Sequence, residues 1–345
     1  MTFRVTTILP TYRRPLMLRR ALESVLSQGR DDVMVHVLDN ASGDETEDVV
    51  RSLSRSDGRV VYHRHATNIG GIANFEYGLS AVATEFFSIL SDDDYLLPGF
   101  YERALAALDA NPDAAFWAGT TLHVDEDGRV VEARVDHWER EGRFEGEEGV
   151  MSMTRGRAPT WTGIVFRRNV LERFGLPDRE ALGPADFDFV LRAAAHHPFI
   201  VERHPSAVFT LNRTSFSAVQ PLSSFWPGWV RIAANVRAWT VLDGAARERV
   251  ARTIEADARR MLFRRGIHAV VVGRMDYAAD ASSALRGAEG GRSASWVLDG
   301  LRRLSRLPGA RPSMATVYRW LETRVILGRG DLQSRYGSLL RKVDR

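Results

Sequence analysis

The stretch Phe86-Phe87-Ser88-Ile89-Leu90-Ser91-Asp92-Asp93-Asp94-Tyr95-Leu96-Leu97-Pro98 passes from an apolar run straight into three adjacent carboxylates. A short apolar run bounded by polar residues reads as a buried strand. Three carboxylates at a strand end repel one another, so something must offset the cost. A divalent cation does so, because Mg2+ and Mn2+ prefer oxygen ligands and usually share their shell with substrate phosphates. A solvated acidic turn or a helix N-cap run is the other reading of such a cluster.

Toward the N-terminus the same grammar repeats. Val5 to Leu9 is a β-branched, apolar run that ends at Pro10, and Pro15 opens a helical pattern through Leu18, Ala21, Leu22, Val25 and Leu26. Val33 to Leu38 reads as a second strand, followed by the turn residues Asp39-Asn40-Ala41-Ser42-Gly43. Asp44 caps a helix to about Leu53, Val60 to Tyr62 is a third strand, and Gly70 to Val82 a third helix. Short strands alternating with longer helices predict an α/β, doubly wound, mostly parallel sheet. Ligands of such sheets sit outside the carboxyl ends of the strands. Those ends carry Thr11 to Arg14, Asp39 to Asp44, Asn68 to Gly71 and Asp92 to Asp94, all polar loops.

Toward the C-terminus the pattern loosens. A helix over Gly99 to Leu108 leads to Ala114 to Trp117, and Thr121 to Val124 with Arg129 to Val131 form a hairpin around Asp125-Glu126-Asp127-Gly128. Residues 136–157 are charged and Gly-rich and read as a mobile loop. Gly163 to Phe166 is strand-like, with helices near 168–174 and 185–196. From about Phe225 the chain reads as almost wholly helical.

The composition is that of a globular protein: 345 residues, 44% hydrophobic and 26% charged, with a net charge of +3. Nearly all the positive charge is arginine, Lys342 being the only lysine. There is no cysteine, which excludes disulfides and thiolate metal sites and fits a reducing cytosol. The start Met1-Thr2-Phe3-Arg4 lacks the apolar core of a secretory signal, and no apolar run approaches the roughly 18 residues that span a bilayer. The expectation is a cytoplasmic protein, at most peripheral at the inner face of the membrane. No nucleic-acid motif is present.

Residues 3 to about 217 resemble a family 2 glycosyltransferase with the GT-A fold. The resemblance rests on four motifs in order: Ile8-Leu9-Pro10-Thr11-Tyr12-Arg13-Arg14, Val37-Leu38-Asp39-Asn40-Ala41-Ser42-Gly43-Asp44-Glu45-Thr46, Asn68-Ile69-Gly70-Gly71-Ile72-Ala73-Asn74, and Ser91-Asp92-Asp93-Asp94-Tyr95-Leu96-Leu97-Pro98-Gly99-Phe100. It implies a GT-A catalytic domain over 1–220, with a donor half to about 118 and an acceptor half over 119–220, and a helical C-terminal region over 221–345. It implies a nucleotide-sugar site in which Pro10, Thr11, Tyr12 and Arg14 line the base and Asp39 accepts from a pyrimidine N–H. Asn68, Gly70 and Asn74 would follow the ribose and diphosphate, with Asp92 and Asp93 beside them. Where many members carry an arginine before the Asn74 position, this chain has Ala73.

The same resemblance implies a Mn2+ or Mg2+ cofactor. Read as acid-any-acid the pair is Asp92 and Asp94; spacing back from Pro98 gives Asp93 and Asp94. The expectation is Asp94 as direct ligand and Asp92 as its partner toward the ribose. Gly183-Pro184-Ala185-Asp186-Phe187-Asp188 resembles the acidic motif opening the acceptor-side helix. That makes Asp186 the general base of an inverting transfer, with Asp188 as fallback and Ala185 in place of the usual glutamate. An N-cap is the structural alternative for Asp186. Trp161-Thr162-Gly163 falls where relatives contact the acceptor. The stretch Thr210-Leu211-Asn212-Arg213-Thr214-Ser215-Phe216-Ser217, where relatives often have a metal-binding histidine, has none.

The implied function is transfer of a sugar from a UDP- or dTDP-sugar to a hydroxyl of a polysaccharide, glycolipid or small natural product. A scaffold that binds nucleotide sugar without turnover and a nucleotidyltransferase are the alternatives. The latter usually needs a Gly-rich loop after the first strand, and Pro10 to Arg14 has no glycine. In the C-terminal region, Val297, Leu298, Leu301 and Leu304 share one helical face and Asp299, Arg302, Arg303 and Arg306 the other. Residues 296–307 therefore suit a membrane-surface helix, or a helix packed on the catalytic domain or on the partner of a homodimer.

Overall fold

The computed structural model describes residues 2–212, 221–327 and 330–340, without the side chains of 321–330. The C-terminal half of the histidine-free stretch, residues 213–217, lies outside the described residues.

The N-terminal half alternates as its periodicity requires: β1 (Val5–Thr11), α1 (Pro15–Leu26), β2 (Val33–Asp39), α2 (Thr46–Ser54), β3 (Val60–Arg64), α3 (Gly71–Ser80) and β4 (Phe86–Ile89). A short β5 (Tyr95–Leu96) and α4 (Phe100–Ala110) follow. The following stretch contributes β6 (Phe116–Val124), β7 (Val130–Arg134), β8 (Gly142–Phe144), α5 (Gly146–Ser152), β9 (Ile164–Arg167), α6 (Asn169–Phe174), α7 (Ala185–His196) and β10 (Phe199–Thr210).

The strands form one mixed sheet in the order β3-β2-β1-β4-β9-β6-β10-β5, with β7 on β6 and β8 on β10. Strands β3, β2, β1 and β4 run parallel, and β9 is antiparallel to both its neighbours. The chain winds outward from β1 to β3, then returns to place β4 on the other side of β1. The gap between the ends of β1 and β4 is therefore the topological switch point, where such sheets open a crevice.

Each face of the sheet carries its own core. Helices α1, α2 and α4 bury Leu18, Leu22, Val50, Phe100 and Leu105 on one face. On the other, Phe189 and Leu191 of α7 meet Ile232 and Val236 of α8 (Leu222–Ala238) and Val250 and Ile254 of α9 (Gly244–Val272). The C-terminal region is helical as expected, and its first two helices share the core on this face of the sheet. Helix α9 starts where the Asp243 carboxylate accepts from the Ala246 N–H (2.8 Å) and stops at left-handed Gly273.

Helices α10 (Met275–Gly287), α11 (Arg292–Leu304) and α12 (Ala310–Leu327) follow, and α13 (Gly330–Leu340) packs back on β7. Helix α11 does not turn its apolar stripe inward as a unit. Leu298 is buried against Gly266 of α9, whereas Val297 and Leu304 are exposed. The bare Gly266 backbone makes a seat for Leu298, and Leu301 packs half-buried beside it.

Residues 136–157 are not a loop. They hold β8 and α5, and bury Trp138, Phe144, Val150 and Met153. The Trp138 ring meets Phe144 edge-on (4.8 Å between centroids), and its indole N–H donates to the Arg157 carbonyl (3.0 Å). Four apolar anchors scattered among charges carry no period, so the sequence hides them. Trp138→Ala is expected to cost about 3–5 kcal/mol, measured by chemical denaturation; a loss below about 1 kcal/mol would show the segment to be loosely attached.

Candidate active site

The four polar loops meet at the switch point. The Thr11 hydroxyl, at the end of β1, donates to Asp92 (2.8 Å). Arg14 forks across the acidic run, its Nη1 lying 3.0 Å from both Asp92 and Asp93. The Arg13 N–H donates to the Ser42 hydroxyl (2.9 Å), the Asn40 amide donates to Asn68 (3.0 Å), and the Ile69 N–H donates to Asn40 (2.8 Å). Arg13 and Ala41 hold left-handed backbone conformations (φ 55° and 60°). Such strain in non-glycine residues collects where the surrounding structure over-determines a site.

Asp39 is buried at the end of β2. Its Oδ1 accepts the Ser42 N–H (2.9 Å) and its Oδ2 the Tyr62 hydroxyl (2.7 Å), which burial and the nearby carboxylate make harder to ionise. The Asp39 side chain thus closes its own turn at Ser42, three residues on, and Arg64 Nε lies 3.9 Å from its Oδ2. Asn74 is buried and clamps α3 to β2: its amide donates to the Leu38 carbonyl (2.9 Å), and its oxygen meets His65 Nε2 (2.9 Å). Gly70 (φ 87°) precedes α3, which begins without a side-chain cap. Pro10 pairs in the β1–β2 ladder, while Tyr12 projects from the loop with Arg13 over its ring (5.1 Å).

The three aspartates stand in different surroundings. Asp94 is fully buried; its Oδ2 accepts the Thr162 hydroxyl (2.7 Å) and its Oδ1 the Thr210 N–H (2.8 Å). Burial, with Asp93 adding to it, pushes its pKa up to about 8. Burial also raises that of Asp92, against the pull of Arg14. Asp93 accepts from Arg14 through Oδ2, and among the described residues no hydrogen bond reaches its Oδ1. Arg20 of α1 holds this turn from below, donating to the Asp93 carbonyl (2.6 Å).

Oxygen-only donors with one carboxylate oxygen left open fit a hard divalent cation. Such ions need only one or two protein carboxylates when substrate phosphates complete the shell. Among the described residues no three His, Cys, Asp or Glu side chains converge into a full protein cage.

The raised Asp94 pKa links stability to pH. The folded state holds the proton more tightly than the unfolded chain, so this group's contribution is complete below about pH 4 and is lost as pH rises through about 8. Without metal, the melting temperature is expected to fall by several degrees across that window. Asp94→Asn, which can keep both hydrogen bonds, should flatten the dependence; an unchanged slope in the variant would assign it to another group.

Across the cleft, Asp186 lies in the first turn of α7, and Pro184, not Asp186, occupies the N-cap. Its Oδ1 accepts the Phe187 N–H (2.7 Å). The side chain is exposed by surface area, yet the protein crowded around it desolvates the carboxylate and raises its pKa, opposed by the Phe187 N–H and the Arg134 charge. Asp188 points the other way. It is buried, accepts from Asn235 of α8 (3.0 Å), and its Oδ2 has no hydrogen bond among the described residues but lies 4.0 Å from the Arg192 guanidinium; burial raises its pKa too.

The 3-10 turn Trp161–Gly163 joins the two halves. The Trp161 indole N–H donates to the Asp186 carbonyl (3.1 Å), while Thr162 holds Asp94. One face of Trp161 stacks on Phe75 of α3 (5.2 Å). A Cβ at Gly163 would collide with the Thr121 hydroxyl, so this close approach requires glycine.

Residues 6–175 match the family model described as Glycosyl transferase family 2. The chain carries a family 2 glycosyltransferase domain. Among curated relatives of this chain, the GalNAc(5)-diNAcBac-PP-undecaprenol beta-1,3-glucosyltransferase of Campylobacter jejuni is 29% identical over 170 residues, 49% of this chain and 53% of the relative. The putative glycosyltransferase EpsH of Bacillus subtilis is 21% identical over 188 residues, 54% of each chain. The chain thus spans about half the length of these two relatives.

Among solved structures, residues 1–349 of S. aureus TarS superpose with a TM-score of 0.64 at 16% identity, over 92% of each chain; TarS with UDP-GlcNAc gives 0.65 at 15%. The mannosyltransferase PcManGT of Pyrobaculum calidifontis, solved with GDP-Man and Mn2+, gives 0.53 at 16% identity over 98% of this chain and 88% of that one. At these identities the likeness is one of fold, and it takes in the C-terminal helices.

No site role was legible in the sequence for Arg20, Tyr62, Arg134 or Thr210, common polar residues whose roles depend on partners more than 20 positions away.

Proposed function

We propose that this chain transfers a hexosyl group from a UDP- or dTDP-sugar to an acceptor hydroxyl, with a divalent cation and with inversion. The observation that carries the reading is the Trp161–Thr162 dipeptide. Its two side chains reach the start of the base helix and the buried aspartate of the acidic run, so donor and base sites are held in one frame.

The donor lies over the ends of β1 and β4, with Thr11, Tyr12, Arg14 and Asp39 around the nucleoside, and Asn68, Gly70 and the uncapped start of α3 near the diphosphate. Asn74 supports this loop from behind. Asp93, with Asp92 beside it, would hold the cation in the register that gives Asp93 the open oxygen, with Asp94 as the buried anchor of the turn. When bound, the metal supplies charge neutralisation for the departing diphosphate.

Asp186 accepts the acceptor hydroxyl proton as that oxygen bonds to the anomeric carbon. The bond from that carbon to the phosphate oxygen breaks, and the diphosphate leaves with the electron pair. One carboxylate acting as base supports a single displacement, hence inversion. Trp161, Thr162 and Gly163 bound the acceptor side and keep Asp186 and Asp94 in place. The chain is read as cytoplasmic, with a peripheral membrane contact through residues 296–307 and a homodimer through the C-terminal helices.

Thermal stability with UDP, dTDP and GDP, each with and without Mn2+, tests the reading, because a ligand of the native state must raise the melting temperature. UDP or dTDP is expected to do so only with metal, and donor hydrolysis to accompany it. No shift with any nucleotide would remove the donor site; a shift without hydrolysis or transfer would make the chain a binding scaffold.

A further inference from the structure

Helix α11 exposes what a packed helix hides. Trp296 is 76% exposed, Val297 53%, Leu304 47% and Leu307, just past its end, 58%. Its buried side is made of Ser295, Leu298 and Ser305. Single exposed apolar residues are ordinary; four within twelve positions on one helix are a patch. At 3.6 residues per turn, Arg292, Trp296 and Arg303 fall on one stripe, and Val297 and Leu304 on the next, with Leu307 just beyond the helix.

Beside this patch, between α10 and α11, lies a hollow of about 250 Å3 lined by Ser283, Arg286, Asp299, Arg302, Arg303 and Arg306. Asp299 is its single acid and is taken twice, by Arg286 (2.5 Å) and Arg302 (2.9 Å). Among the described residues Arg303 and Arg306 have no acidic partner, and Arg302 Nε is buried without one. The hollow therefore holds four guanidiniums against one carboxylate, the composition of a site for a phosphate. Arg303 belongs to both the hollow and the apolar stripe.

We propose that α11 docks on an anionic lipid surface, with Trp296, Val297, Leu304 and Leu307 in the interface and a lipid phosphate in the arginine hollow. This rests on the peripheral membrane contact proposed above and supplies its chemistry. Tryptophan belongs at the depth of the headgroups, and a helix with basic and apolar stripes lies flat there.

The test is co-sedimentation of the full chain with phosphatidylcholine vesicles, with and without phosphatidylglycerol. Binding is expected only with phosphatidylglycerol, and the double variant Arg303→Glu/Arg306→Glu should bind about tenfold or more weakly. Trp296→Ser/Leu304→Ser should also weaken it, showing that the apolar side chains insert. The metal-dependent UDP shift should persist in both variants, so a failure here is separable from a failure of the donor site. Wild-type binding by the arginine variant overturns the proposal. So does stabilisation by inorganic phosphate, lost in that variant, without vesicle binding: the hollow would then be a site for a free anion.

Discussion

Asp186→Asn is expected to lower kcat about a thousandfold, within the range that a positioned general base supplies. The donor KM should stay near its original value, because the donor loops belong to β1–β4 and Asp186 to α7. The fold should not suffer: the side chain is exposed, and its one hydrogen bond is to the neighbouring Phe187 N–H. The pH profile carries a second signature. The base works ionised, and crowding raises its pKa, so activity is lost as pH falls through a value above the ordinary carboxylate range. Arg134→Ala removes an opposing charge and should move that limb higher still. Asp188→Asn should act differently, changing stability through its contact with Asn235 more than the rate. Near-normal turnover in Asp186→Asn, with a large loss in Asp188→Asn, would exchange the two roles.

The second large effect is expected at Asp93. Asp93→Ala should abolish the metal-dependent part of UDP stabilisation and lower kcat about a thousandfold, the rate equivalent of several kcal/mol of lost charge stabilisation. Its melting temperature without ligands should change little, since Arg14 keeps Asp92 as partner. Asp94→Ala should do the reverse in part. It strips the Thr162 hydroxyl and the Thr210 N–H of their buried acceptor, at about 1–3 kcal/mol for each orphaned group. Isothermal titration of Mn2+ with UDP against both variants separates the two. Retained metal affinity in Asp93→Ala would return the cation to Asp92 and Asp94.

The donor half was legible because local signals agreed there. Apolar runs set β1, β2 and β4, Pro15 set the start of α1, and turn residues marked the loops that the structure brings together. The acceptor half was less so. Strand β10 pairs with β5, β6 and β8, yet its middle reads Glu202-Arg203-His204-Pro205-Ser206, and its ladder with β6 is broken twice around Pro205. A bulged strand with a polar middle has no period to read. The run Asp92–Asp94 announced an acidic site, but the division of labour within it lay with Arg14, Thr162 and Thr210. No spacing within the run encodes partners that arrive from other elements.

Helix α13 has a bearing on how the chain is made. The Val130 N–H of β7 donates to Gln333, 203 residues downstream, and Arg335 and Tyr336 both bind Asp136 just past that strand. Until those residues leave the ribosome, β7 is a bare strand margin, able to pair with any other extended chain. The last helix thus acts as a tethered stopper, and a nascent or clipped chain ending before residue 330 would emerge with a sticky flank even if its crevice were already shaped.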